Sequence, residues 1–180
     1  MNKYIKLKLI GTIIAFLLTF PIHFLYNKFP NIVTSIIAPV NESVAEHMKI
    51  LFTSILIAGV LQKLIVIKKK LKINNVCISN FIAAFLSIPI FLILFLPVYN
   101  IIGKNLSITI IIMLISIILS ELISLHIMKQ KNLKLENKAI IFTIIIYIIF
   151  YILTIFPPNN NLFIDPIDNT KGIKKDISKR

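Results

Sequence analysis

The residues best suited to chemistry form a short run, NESVAEH, at positions 41–47. Glu42 and Glu46 are four residues apart, so a helix would place them on one face, with His47 about 100° further round. Carboxylates combined with an imidazole suit a divalent metal or proton-coupled chemistry. If a divalent metal is the cofactor, the predicted ligands are the histidines and carboxylates of this region: His23, Glu42, Glu46 and His47.

A plain helix start explains most of the same residues. Ser43 and Glu46 match a capping box, in which each side chain accepts a hydrogen bond from a backbone N–H at the helix start. The two carboxylates also favour the positive end of the helix dipole, and Lys49 is spaced to pair with Glu46. Capping does not explain His47, so the interpretation as a cap and the interpretation as a functional site both stay open.

The elements that position this run are predicted membrane spans. The chain has 180 residues, 57% of them hydrophobic, and the apolar residues fall into blocks about as long as the ~20 residues that cross a bilayer as a helix. We therefore predict an all-α, polytopic transmembrane helical bundle whose partner is the lipid bilayer. The predicted domain, residues 1–156, contains five spans at about residues 7–26, 44–67, 78–102, 106–128 and 139–156.

Two further segments complete this prediction. Residues 32–39 are too short to cross a membrane and are expected to form an interfacial or re-entrant piece that ends at Pro39. Residues 157–180 form an extracytoplasmic tail, expected to be partly docked at 157–173.

Lysines give the predicted orientation. They cluster at the N-terminus and in the loops after spans two and four: Lys3, Lys6, Lys8, Lys63, Lys68, Lys69, Lys70, Lys72, Lys129, Lys131, Lys134 and Lys138. The opposite side has only Lys28, Lys49 and Lys104 before the tail. The positive-inside rule predicts an N-inside, C-outside protein, and we expect it in a bacterial plasma membrane. The net charge of +13 is thereby explained without nucleic-acid binding.

This orientation brings three separated polar stretches to the outer face. The candidate polar site comprises residues from span one, from the motif and from the tail: His23, Asn41, Glu42, Glu46, His47 and Asp165. A second candidate, Glu121 with His126, lies towards the inner end of span four. Ionisable residues within spans are functional hypotheses by default, but Glu121 could also serve only to hold helices together through hydrogen bonds.

Two stretches resemble a known family. HFLY followed by APVNESVAEHMKILF, and the ending FPPNNNLFIDPIDNTKGI, are similar to the uncharacterised bacterial integral membrane proteins called domain of unknown function 6512. Ala45 stands where that family has an aromatic residue, and Lys171 stands where a Tyr is usual. The resemblance implies the membrane architecture and draws attention to the motif and the tail, but it implies no reaction.

Three functions follow from these patterns. The first is a non-enzymatic membrane protein in which motif and tail form an outward-facing polar site or a structural lock. The second is a membrane-embedded metal-dependent enzyme acting on lipid, and the third is a small transporter or channel that uses Glu121. The sequence has no P-loop, no G-x-S-x-G and no dinucleotide fingerprint, so the non-enzymatic interpretation is favoured.

Overall fold

The computed structural model describes residues 2–173, and most of these residues are helical. Six α-helices follow one another: α1 Lys3–Lys28, α2 Ile32–Ile37, α3 Val44–Lys68, α4 Val76–Ile102, α5 Leu106–Lys129 and α6 Glu136–Ile155. A 3-10 turn, Asn161–Phe163, follows α6. Within this described range there is no β-strand, only an isolated bridge between Ile164 and Lys171.

The predicted all-α architecture with five spans is confirmed. In the described part of the chain, five helices (α1 and α3 to α6) are long and apolar enough to cross a membrane. Most of them extend a few residues beyond the predicted apolar limits; α1, for example, begins at Lys3 rather than at residue 7. Hydropathy marks only the hydrocarbon-crossing part of a helix, whereas backbone hydrogen bonds continue into the polar flanks.

Helix α3 lies at the centre of the bundle. It packs against α1 and α4, while α5 contacts α1 and α4, and α6 lies on α4 with the short α2 beside it. In its most apolar 18-residue window 56% of α3 is buried, against 17% for α6, so α3 is the helix least exposed to lipid. Phe52 anchors the core through edge contacts with Phe81, Tyr147 and Phe150.

The bundle has two ends of different character. We call the end that carries the start of α3, residues 38–43 and the segment after α6 the motif end. The opposite end, where α1 begins and α3 finishes, is the lysine end. The predicted interfacial segment is the short α2, which lies at the motif end. Asn31 and Thr34 cap its start, because the side chain of each accepts a hydrogen bond from the backbone N–H of the other.

Candidate functional site

The start of α3 is built by side chains of the motif itself. The Ser43 hydroxyl accepts a 3.4 Å hydrogen bond from Glu46 N, as a cap should. In the predicted capping box the Glu46 side chain would accept the Ser43 N–H. Asn41 Oδ1 accepts it instead, at 2.9 Å. The Glu46 carboxylate instead accepts a 3.0 Å hydrogen bond from Val40 N.

Glu46 and Lys49 form a buried ion pair one turn into α3. Lys49 Nζ lies 2.6 Å from Glu46 Oε2, and the lysine is only 1% exposed. The same ammonium group donates to Ser35 O at 2.8 Å and to the Thr154 hydroxyl. All three of its protons are thus used, which offsets much of the cost of burying a charge. Lys49 was counted as an outer loop lysine from the sequence, but it is a core residue.

The tail is fastened to the motif by two hydrogen bonds. Asp165 Oδ2 accepts from Glu42 N at 3.1 Å, and Asn41 Nδ2 donates to Gly172 O at 3.1 Å. Asp165 and Gly172 are both buried, and the chain between them turns back so that Asp165 N reaches Thr170 O. These contacts join residues more than 120 positions apart in the chain.

Three other predicted residues meet in a partly exposed cluster: His23, Glu42 and His47. We call it the histidine–carboxylate cluster. His23 Nε2 lies 3.4 Å from Glu42 Oε1, and His47 Nε2 lies 3.7 Å from Glu42 Oε2. The two imidazole centres are 5.5 Å apart. Both nitrogen–oxygen distances exceed those of ordinary hydrogen bonds, so the three groups converge without satisfying one another.

The tautomer of His47 follows from its backbone contact. His47 Nδ1 lies 2.9 Å from Ser43 O, and a carbonyl oxygen can only accept, so Nδ1 carries the proton. In the neutral imidazole Nε2 is then an acceptor, and it faces the carboxylate of Glu42, which is also an acceptor. Either a proton on Nε2 or a ligand group that donates to both atoms supplies the hydrogen-bond donor that this pair of acceptors lacks.

A cavity of about 90 Å³ opens beside the cluster. Glu42 and His47 lie on its wall, and the stacked rings of Phe91 and Phe95, with centroids 5.0 Å apart, line it from α4. The tail contributes Ile164. A water molecule occupies roughly 30 Å³ in the liquid, so the cavity suits a small group with one polar and one apolar side.

The predicted metal ligands are divided between two environments. Glu46 is buried with Lys49, whereas His23, Glu42 and His47 are partly exposed. Asp165 serves the turn of the tail, where its second oxygen accepts from Ile167 N at 2.8 Å. Within residues 2–173, no group of three or more His, Cys, Asp or Glu side chains is arranged to hold a metal ion.

The second candidate pair does not form. Glu121 is 2% exposed and lies 2.6 Å from Lys8 Nζ on α1, whereas His126 is exposed at the lysine end. Five residues along a helix turn the two side chains well apart, while Lys8 on the neighbouring helix stands level with Glu121. Lys8 was interpreted as a charge that sets orientation, so sequence reasoning missed it as a partner.

Thr154 was also missed. It is fully buried near the end of α6, and its hydroxyl lies 3.0 Å from Glu46 Oε1. The available signal was weak: a single Thr in the apolar last turns of a predicted span.

Fold and site together define a multi-pass helical protein whose helices are compatible with a membrane, with a polar assembly at one end. Residues 1–173 match the model of a family described as "Family of unknown function (DUF6512)", and the chain belongs to that family. The resemblance noted from the motif and the tail is thereby confirmed. No curated protein and no solved structure matches the chain.

Proposed function

We propose that this protein is an integral membrane protein with an outward-facing binding site at the motif end, held in shape by a buried structural lock. The lock comprises the buried residues that join the motif, α6 and the tail: Asn41, Glu46, Lys49, Thr154 and Asp165. The binding site is the histidine–carboxylate cluster with its adjoining cavity. The motif end faces outward in this proposal because the lysine-rich loops lie at the other end.

The observation that carries the proposal is the division of one motif into two sets of side chains. Glu46 and Asn41 are buried and hydrogen-bonded, as scaffolding residues are. Glu42 and His47 keep 30% and 16% of their side-chain surface exposed, and their facing polar atoms stand at 3.7 Å. A helix cap needs neither side chain, so the exposed set has the features of a site that takes up a ligand.

The geometry favours one kind of ligand. The polar group of this ligand donates hydrogen bonds, or a proton, to Glu42 and His47 Nε2. Its apolar part packs against Phe91 and Phe95. An amine on a small apolar body can donate to both atoms, and a hydroxyl, with its single proton, can donate to one of them.

Stability measurements test the division between lock and site. Glu46→Gln leaves the Lys49 charge buried without its counter-ion and should cost about 3–5 kcal/mol of unfolding free energy. Glu42→Gln should cost less than about 1 kcal/mol, because its ion pairs are long and partly solvated. Thermal unfolding in mild detergent compares the two; equally severe losses would make the cluster part of the scaffold and remove the proposed site.

Chemical protection tests binding itself. Diethyl pyrocarbonate should modify His23 and His47, and benzyl alcohol and benzylamine should slow this reaction, whereas toluene, which lacks the donor, should not. Exposed His126 at the lysine end is the internal control. Protection that persists in Glu42→Gln, or that is equal with toluene, contradicts the proposal; mass spectrometry of the modified peptides supplies the readout.

A further inference from the structure

A second polar cluster lies inside the bundle towards the lysine end, away from the proposed site. Lys8 Nζ on α1 lies 2.6 Å from Glu121 Oε2 on α5 and donates to Asn80 Oδ1 on α4 at 2.8 Å. Gln62 of α3 joins the same region by donating to Leu7 O at 3.2 Å. Gly11 makes room for it, because a Cβ there would overlap the Gln62 side chain.

This cluster is incompletely hydrogen-bonded. Among the described residues, the buried side-chain atoms without a hydrogen-bond partner are Gln62 Oε1, Asn80 Nδ2 and Glu121 Oε1. Glu121 Oε2 receives both Lys8 and the Ser124 hydroxyl, the latter at 3.2 Å, while Oε1 receives nothing. Orphaned polar atoms are expensive in an apolar interior and are usually satisfied by something bound.

An apolar groove between α1 and α5 leads to this pair. It measures about 400 Å³ and is lined by Lys8, Thr12 and Glu121 together with apolar, mostly aliphatic, residues of both helices. Leu9 and Leu122 on its walls are 49% and 57% exposed, so the groove opens on the face of the bundle that meets lipid. A single water, at roughly 30 Å³, is far too small to fill it.

The depth of the pair matches the upper part of a lipid. Lys8 lies five residues into α1, or about 8 Å along the axis, and Glu121 lies eight residues before the end of α5, or about 12 Å. The polar zone of each leaflet is roughly 5–8 Å thick. With the start of α1 and the end of α5 placed at the water-facing surface of that zone, both groups stand just below it, near the linkage between head and chains.

We propose that the α1–α5 groove binds a neutral lipid with a free hydroxyl group, of the diacylglycerol kind. The Glu121 carboxylate rotates to turn Oε1 towards the groove, because this atom is buried and lacks a donor while the groove is empty. The lipid hydroxyl then donates to Oε1 and accepts the Lys8 proton that is not used by Glu121 and Asn80. The acyl chain lies along the aliphatic walls. Lys8 and Glu121 already neutralise each other, so a charged head would bring an uncompensated charge into hydrocarbon, whereas a hydroxyl brings none.

Photolabelling of the full-length protein tests this inference. The protein is reconstituted in phosphatidylethanolamine–phosphatidylglycerol vesicles with a diacylglycerol that carries a diazirine on one acyl chain. Labelled peptides should come from α1 and α5. Unlabelled diacylglycerol should compete about fivefold better than triacylglycerol, the free-energy equivalent of one net hydrogen bond, and better than phosphatidic acid.

A matched pair of variants controls for folding. Glu121→Gln leaves Lys8 unpaired and so risks unfolding the protein, but Leu122→Trp fills the groove from an exposed position. It should remove the labelling, while Ile148→Trp, equally exposed on α6, should leave it intact. Labelling spread evenly over all lipid-facing helices, equal competition by triacylglycerol, or full labelling of Leu122→Trp would overturn the proposal.

Discussion

At the scale of single residues, burial decides what each charge of this protein does. Lys49 and Lys8 lie near the ends of apolar segments, where the sequence predicts exposed lysines. In the structure both are buried against a carboxylate: Lys49 against Glu46 of the same helix, and Lys8 against Glu121 of another helix. Glu42 and Glu46 lie in one motif, yet Glu42 is partly exposed and Glu46 is buried. Identity and spacing alone therefore did not separate scaffolding charges from accessible ones.

Removing the cation of the lock should be severely destabilising. Lys49→Met keeps the apolar stem but leaves Glu46 buried without its counter-ion, so we expect a loss of about 3–5 kcal/mol in unfolding free energy. Lys28→Met is the matched control, since Lys28 is exposed at the end of α1, and it should change stability by less than about 0.5 kcal/mol. Thermal unfolding in the same detergent measures both; similar midpoints for the two variants would show that the lock does not stabilise the fold.

At the scale of elements, the tail packs against the segment that precedes α3 and against the last turn of α6. Gly172 has a φ of +61°, and a Cβ on it would overlap the backbone oxygen of Thr154. Only glycine fits both the left-handed backbone and this close approach. The lock thus depends on a backbone contact between the tail and the last turn of α6 as well as on charges.

Gly172→Ala should therefore release the tail. Gly103 offers a control at the end of α4, because it too has a positive φ, of +77°, but open space where a Cβ would stand. Gly103→Ala should cost only backbone strain, about 1–3 kcal/mol, because a φ of +77° with a ψ of −160° is a conformation that side chains rarely adopt. Gly172→Ala adds steric overlap and should make Lys171 more accessible to trypsin. The measurement is the rate of cleavage after Lys171; equal rates in the two variants would contradict this account.

At the scale of the whole molecule, the two ends of the bundle carry different chemistry. The motif end holds the lock and the histidine–carboxylate cluster, and the lysine end holds the basic loops. If the positive-inside rule governs this chain, the motif end faces away from the cytoplasm. This orientation decides the compartment from which a ligand reaches the cluster.

Thiol labelling determines the orientation. A cysteine introduced at exposed Asn160, in a Cys77→Ser background, should react with a membrane-impermeant maleimide in intact cells. The wild-type protein, with Cys77 near the lysine end, should react only after the membrane is permeabilised. The reverse pattern would place the cluster on the cytoplasmic side.

The sequence by itself determined the class, the number of long helices, the short α2 and the stretches that meet at the motif end. Apolar blocks of spanning length and a specific motif are local patterns, and local patterns determine helices and their starts. Even the pairing of Glu46 with Lys49 followed from spacing within one helix.

Only the tertiary structure decided which polar groups meet across helices. It separated Glu46 from the histidine–carboxylate cluster, paired Glu121 with Lys8 rather than with His126, and joined Asn41 to Gly172. The physical reason is that these contacts depend on the rotation and depth of one packed helix relative to another. That arrangement is set by the sum of many apolar contacts and by close approaches at Gly11 and Gly172, which the periodicity of a single helix does not encode.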